Sequence, residues 1–155
     1  MKFIKSEVSI LSQQPGIVGM LKHIERVGRI AYKSEDRITD DSYIKFNNMI
    51  YNRGHWAVFN SGTVYLIIPR GVSELKKLLE NIYTKFFYDE KNYRYFITTN
   101  YRVIVQLGIS MDFLKKYWVD PNDDPRFKKR ITTHWICSRG VSHELVRHKL
   151  LCVAQ

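Results

Sequence analysis

Residues 62–69 read Gly-Thr-Val-Tyr-Leu-Ile-Ile-Pro, an apolar and β-branched run between a glycine and a proline. Such side chains favour extended backbone, and proline closes the run because it has no amide hydrogen to donate to a neighbouring strand. The segment 63–68 therefore predicts a buried strand.

Upstream of this strand, the sequence predicts one further strand and two helices. Residues 2–11 alternate in part between apolar and polar side chains and stop before Pro15 and Gly16, which is typical of an opening strand. Apolar residues at helical spacing predict a first helix over 17–32. A second helix follows the acidic residues Asp40 and Asp41, which suit the positive end of a helix dipole, and stops at Gly54.

Downstream, the order of elements is less regular. A helix over 75–86 is predicted, with Ser73 as its cap. Residues 93–105 have high strand propensity, although Asn100 equally suits the cap of a helix that begins at Tyr101, and both interpretations stay open. The remaining predictions are a helix over 111–118, a loop over 120–125, a strand over 130–137 and a final helix from about Gly140 with Ser142 as its cap. That helix meets no stop signal before Gln155, so we expect one domain over 1–155 that is cut at its C-terminus.

The chain is strongly basic, with 25 Lys and Arg against 15 Asp and Glu and a formal net charge of +10. The electrostatic field of a protein with this net charge attracts nucleic acid, membrane surfaces or phosphate-bearing small molecules. The sequence contains no bilayer-length apolar stretch and no signal peptide, and its two cysteines, Cys137 and Cys152, form no disulfide framework. We therefore expect a soluble intracellular protein.

The segment 138–149 is the richest in chemical groups. His143 and His148 are five residues apart and diverge around a helix, so they cannot form the metal-binding pair of an HExxH motif. Arg147, His148 and Lys149 are consecutive, and at least two of them must meet solvent, a carboxylate or an anionic ligand. An ordinary amphipathic helix with surface charges explains the same pattern. His55, which follows Gly54 at a helix end, is a second candidate site residue.

Three segments resemble, in order, motifs of the flavin-dependent thymidylate synthases: residues 28–35 (GRIAYKSE), 54–60 (GHWAVFN) and 139–155 (RGVSHELVRHKLLCVAQ). The third is similar to the family signature that begins Arg-His-Arg-x-x-Ser. Residues 95–100 are similar to an insert in one branch of the family. This chain departs from the family at four positions, where Asn60 stands for Glu, Ser61 for His, Lys149 for the second Arg and Cys152 for Ser.

The resemblance implies an α+β fold with a mixed sheet and flanking helices, in a cytoplasmic homotetramer whose active sites lie between subunits. It implies that FAD is the cofactor, with NADPH and methylenetetrahydrofolate as co-substrates in the methylation of dUMP to dTMP. These anions account for the positive charge without a nucleic acid or a membrane. His55 would be catalytic, beside the flavin and the folate. The implied binding residues are Glu144 and Arg147 for dUMP, Arg147, His148 and Lys149 for the flavin, and Gln155 for both.

Two other hypotheses stay open. The four departures from the family pattern favour a degenerate or truncated relative without catalytic activity. The basic cluster 126–130 and the many tyrosines would suit a nucleic-acid-binding domain, although no recognised nucleic-acid motif is present. The sequence also contains no GxGxxG, Walker or GxSxG motif, so the common nucleotide-binding and hydrolase folds have no support.

Overall fold

A computed structural model describes residues 5–147 of the chain. It contains helices and small antiparallel sheets, consistent with the predicted α+β class. The strands are β1 (Glu7–Leu11), β2 (Thr63–Pro69), β3 (Lys85–Asp89), β4 (Arg94–Asn100) and β5 (Thr132–Ile136). The helices are α1 (Gly16–Ala31), α2 (Ser42–Asn52), α3 (Leu75–Leu79), α4 (Tyr101–Gln106), α5 (Met111–Tyr117) and α6 (Arg139–Arg147), with 3₁₀ helices at Glu35–Arg37 and Trp56–Ser61.

The larger sheet has the order β2-β4-β3. The strand predicted over 63–68 is confirmed as β2, and its side chains at Val64, Leu66 and Ile68 are fully buried. β2 pairs along its whole length with β4, from Thr63 opposite Asn100 to Pro69 opposite Arg94. This strand pair forms one wall of the main core.

Helices α1 and α2 close the other side of that core. Met20 and Ile24 of α1 and Phe46 and Ile50 of α2 are buried in the same cluster as the β2 side chains. The first helix was predicted from apolar spacing and the second from its acidic start and the stop at Gly54, and both are confirmed within one or two residues at most boundaries. Burial of these apolar faces is the main favourable contribution to folding.

The helix predicted over 75–86 is wrong in its second half, because α3 ends at Leu79 and β3 begins at Lys85. Asn81 causes the break: its side-chain oxygen accepts a hydrogen bond from the amide of Tyr83, and its carbonyl accepts one from the amide of Thr84. Such a turn competes with helical hydrogen bonds. The aromatic residues that follow then pair with β4.

The two interpretations of Asn100 are both partly correct. Asn100 is the last residue of β4, and its side-chain oxygen also accepts a hydrogen bond from the amide of Val103 at 3.0 Å. A strand therefore passes directly into helix α4 at this residue. The amide of Tyr101 donates to the carbonyl of Gly62 at 2.9 Å, which fixes the junction beside the start of β2.

The smaller sheet pairs the two ends of the described chain, β1 with β5. All strand pairings within residues 5–147 are antiparallel, so the expectation of a mixed sheet is wrong for this part of the chain. The final helix begins at Arg139, and the prediction that Ser142 caps it is also wrong. Ser142 lies inside α6, where its hydroxyl donates to the carbonyl of Arg139. Within the same residues, no helix is long and apolar enough to cross a membrane.

Candidate functional site

His55 lies on the surface where α2 gives way to the 3₁₀ helix Trp56–Ser61. Gly54 has a φ of +70°, a conformation that glycine adopts without steric cost, and it turns the chain out of α2. The amide of His55 then donates to the carbonyl of Ile50 at 3.2 Å. The backbone of His55 is thus fixed while its imidazole stays exposed.

Aromatic side chains surround this turn. The rings of Tyr51 and Trp56 are stacked, with centroids 6.0 Å apart and planes at 27°, and the indole nitrogen of Trp56 donates to the carbonyl of Tyr51 at 3.0 Å. Tyr101 packs edge to face on Phe59 at 5.1 Å. Planar aromatic ligands bind well against such rings. We call the surface formed by Tyr51, His55, Trp56 and Tyr101 the His55 site.

The Tyr101 hydroxyl is a hydrogen-bonding group in this cluster. Burial raises its pKa, and the nearby Tyr51 raises it further. Tyr101 therefore stays neutral at physiological pH and can donate a proton in a hydrogen bond.

The neighbourhood of the His55 site is cationic. Arg130 donates to the carbonyl of Asn60 at 3.3 Å, Arg53 immediately precedes Gly54, and Arg102 follows Tyr101. Among the ion pairs of the described chain, none involves Arg53, Arg102 or Arg130. Uncompensated positive charge beside flat rings suits an aromatic ligand that carries phosphate or carboxylate groups.

Glu144 and Arg147 lie together on α6 and pair with each other at 3.0 Å. Their side chains are 74% and 72% exposed, so both remain accessible to a ligand. On the same helix, Nε of Arg139 lies 3.4 Å from Nε2 of His143. No hydrogen bond, ion pair or ring contact joins Glu144 or Arg147 to His55 within residues 5–147. The predicted site residues His148, Lys149 and Gln155 lie outside the described residues, as does Cys152.

Two of the four cations in the basic cluster 126–130, Arg126 and Lys129, are paired with neighbouring carboxylates. Arg126 binds Asp124 through two nitrogens, at 2.9 and 2.6 Å, and lies 3.9 Å from the ring centre of Phe96. These hydrogen bonds lower the pKa of Asp124 to about 2. Lys129 pairs with Asp123 at 2.5 Å. Arginines and lysines held in this way are poorly placed to bind phosphates of a nucleic acid.

Metal binding has no support in the part of the chain that the structure describes, where no three His, Cys, Asp or Glu side chains form a group able to hold an ion. The thiol of Cys137 is free and half-buried.

One face of the β1–β5 pair is apolar and exposed. Cross-strand partners share a face, which places Val8 beside Trp135 and Ile10 beside Thr133. The exposed fractions are 54% for Val8, 68% for Ile10 and 46% for Trp135. We call these four residues the ribbon face; apolar patches of this kind mark association surfaces.

Comparison with protein-family models, with curated proteins and with solved structures finds no match to this chain. His55 became a candidate from the sequence because it follows a glycine at a helix end. Tyr101 and Arg102 were not among the candidates, although Asn100 as a possible cap indicated that a helix starts at Tyr101.

Proposed function

We propose that this chain is a flavin-dependent thymidylate synthase or its N-terminal part, which converts dUMP to dTMP with methylenetetrahydrofolate and NADPH-reduced FAD. The observation that carries the proposal is the position of His55, fixed by its backbone beside the stacked rings of Tyr51 and Trp56. The motif that contains His55 is one of the three that resemble this family.

The residues around the His55 site fit a flavin or a folate. Tyr51, Trp56 and the neutral hydroxyl of Tyr101 supply flat apolar surface and a hydrogen-bond donor. The nearby unpaired arginines suit the pyrophosphate of FAD or the glutamate of folate. When bound, FAD supplies the redox chemistry, and the role of His55 is to bind and orient the reacting rings by hydrogen bonding and contact.

Glu144 and Arg147 are proposed to bind dUMP. The charge of Arg147 is at present shared with Glu144, and a nucleotide phosphate would offer a planar guanidinium a stronger, bidentate partner. The residues proposed to bind the flavin are Arg147, His148, Lys149 and Gln155.

Association into a homotetramer, with active sites between subunits, is part of the same proposal. Two observations support it: the exposed ribbon face, and the exposure of Glu144 and Arg147 on a helix that does not contact His55. A neighbouring subunit that covers the ribbon face could bring a second His55 site toward α6.

Ligand binding and oligomeric mass test this proposal directly. The purified protein is expected to show flavin absorbance, to melt at higher temperature with FAD or dUMP, and to scatter light as a tetramer. His55→Ala should lower dTMP formation while leaving the mass unchanged, and His134→Ala, on the separate β5 strand, is the matched control. A monomer without flavin absorbance that gains no thermal stability from either ligand would contradict the proposal.

A second candidate, a relative that binds these ligands without catalysis, is favoured by Asn60 and Ser61. The family pattern has Glu and His at these positions, whereas here the Ser61 hydroxyl donates to the carbonyl of Val58 at 2.8 Å. Such a protein would bind FAD and dUMP, yet it would form no dTMP when NADPH and methylenetetrahydrofolate are added.

A further inference from the structure

Two buried hydrogen-bond donors at the junction of β4 and α4 have no acceptor in the described structure. They are Nδ2 of Asn100 and Nε of Arg102. Asn100 is completely buried, and its side-chain oxygen is already engaged with the amide of Val103. Exchanging the amide oxygen and nitrogen of Asn100 would break the hydrogen bond from Val103. Nδ2 therefore has to lie on the side that offers no acceptor.

Unpartnered buried donors are rare in folded proteins because each forfeits its hydrogen bonds to water. Arg102 is half-buried, so this cost falls on its Nε, the guanidinium nitrogen that is buried without an acceptor. No ion pair of the described chain involves Arg102, so residues 5–147 supply no compensating carboxylate. An acceptor from outside this part of the chain would remove both costs.

The junction lies beside the His55 site. Tyr101, between the two donors in sequence, donates its amide to Gly62 and packs its ring on Phe59 of the 3₁₀ helix that follows His55. Arg130 contacts the same 3₁₀ helix through the carbonyl of Asn60. A ligand with rings at the His55 site could therefore present an anionic group to these donors.

We propose that Asn100 and Arg102 bind the anionic oxygens, phosphate or carboxylate, of the ligand that occupies the His55 site. This inference rests on the proposed function in its choice of ligand and on the unpartnered donors in its choice of residues. A phosphate would come from FAD or dUMP, and a carboxylate from the glutamate of methylenetetrahydrofolate. Arg102 is a binding residue in this proposal, and its guanidinium matches either group through two parallel hydrogen bonds.

Calorimetric titration of the protein with FAD, dUMP, methylenetetrahydrofolate and inorganic pyrophosphate tests the inference. Arg102→Gln should weaken binding of the anion it contacts by roughly ten- to a hundred-fold, and Arg102→Lys should recover part of the loss. Asn100→Asp keeps the cap oxygen and replaces the donor with an anion, so it should weaken the same ligand. Arg70→Gln, at an exposed arginine without an ion pair in the described chain, is the control and should change nothing.

The pattern of loss identifies the source of the anion. A loss confined to pyrophosphate, FAD or dUMP indicates a phosphate, and a loss confined to the folate indicates its carboxylate. Without ligand, Arg102→Gln should melt no lower than the unmodified protein, because it removes a half-buried side chain whose buried Nε lacks an acceptor. A purely structural arginine would instead lower the melting temperature.

The result also separates this inference from the proposed function. Binding of pyrophosphate through Arg102, with no affinity for flavin or dUMP, would support the anion site and contradict the synthase. Unchanged affinity of Arg102→Gln for all four probes would overturn the anion site, whatever the unmodified protein binds. A change in oligomeric mass without a change in affinity would overturn it as well, because the acceptor would then be a carboxylate of another copy.

Discussion

Nε of Arg29 donates to a carboxylate oxygen of Glu25 at 2.7 Å on α1, where Glu25 is only 1% exposed. The other carboxylate oxygen accepts from the hydroxyl of Ser42 at the start of α2 at 2.9 Å. The hydrogen bond from Ser42 therefore links the Glu25–Arg29 pair of α1 to α2, and these two helices cover the main core. Removing one partner of a buried ion pair leaves the other charge uncompensated.

Arg29→Met is accordingly expected to lower the free energy of unfolding by about 3 kcal/mol. Lys76→Met, which removes an exposed pair with Glu80, is the control and should cost less than about 0.5 kcal/mol. Urea unfolding of both variants measures the difference. Equal midpoints for the two variants would show that the Glu25–Arg29 pair contributes no more than a surface pair.

At Gly28, α1 packs closely against side chains of α2 and of the 3₁₀ helix Trp56–Ser61. A Cβ at this position would lie 2.5 Å from Cζ of Phe46 and 3.1 Å from a methyl of Val58, both buried. Gly28→Ala should therefore destabilise the protein by about 1–3 kcal/mol through overpacking, despite the better helix propensity of alanine. Gly140→Ala in α6, where only the Ser138 hydroxyl lies within reach at 4.0 Å, is the control and should be neutral or slightly stabilising. Thermal melts that rank the two variants in the opposite order would contradict this packing argument.

His23 gives the fold a pH dependence of known sign. It is buried on α1, and its Nε2 lies 3.1 Å from the hydroxyl oxygen of Thr132. Burial lowers its pKa from 6.5, and the charge of Arg26 lowers it further. The unfolded chain therefore binds a proton more readily than the folded chain.

The stability contributed by neutral His23 is complete above pH 6.5 and declines as pH falls below that value toward the lower pKa of the folded state. His23→Gln should flatten this part of the curve of unfolding free energy against pH. Denaturant unfolding between pH 7.5 and about 5 measures it. The same slope in both proteins would assign the dependence to other groups.

Most local elements were predictable from the sequence, whereas the order in which the strands pair was not. Strand β2 was predictable because an apolar run has a glycine and a proline at its ends, and α1 because its apolar residues recur every turn. The break after Leu79 was missed, since an asparagine turn competed with helix propensity at Asn81. The pairing of β1 with β5 joins segments far apart in the chain, and no local pattern specifies such contacts.

Some residues of the candidate site could likewise be selected from the sequence, and others could not. His55 and Arg147 could be selected from motifs, because the residue types themselves suggest chemistry. Arg102 could not be selected from the sequence, because what distinguishes it from other arginines is that its Nε is buried without an acceptor. That property depends on the packing of α4 against the rest of the chain, which only three-dimensional coordinates show.

The ribbon face is expected to hold the proposed oligomer together. Ile10→Lys places a charge on this apolar surface and should lower the mass measured by light scattering. Ile82→Lys is the matched control, because Ile82 is also exposed, at 77%, but lies outside the ribbon face. If the unmodified protein is a tetramer and Ile10→Lys has the same mass, the subunit interface does not depend on the ribbon face.

Arg147 provides the sharpest test of the proposed ligand site. Its guanidinium is 72% exposed and pairs with Glu144 on the same helix, so replacing it should barely affect the fold. If it binds a ligand phosphate, Arg147→Ala should weaken dUMP or FAD by roughly ten- to a hundred-fold, or about 1.5–3 kcal/mol. Arg147→Lys should recover only part of this loss, because an ammonium cannot form two parallel hydrogen bonds.

Calorimetric titration compares these variants with Arg37→Ala, which removes an exposed arginine from the distant 3₁₀ helix Glu35–Arg37. Both alanine variants lose one positive charge, so any general effect of the net charge on anion binding should be the same in the two. A loss specific to Arg147 therefore requires a direct contact with the ligand. Equal affinities of Arg147→Ala and Arg37→Ala for both ligands would leave Arg147 as a surface cation paired with Glu144 and would remove α6 from the site.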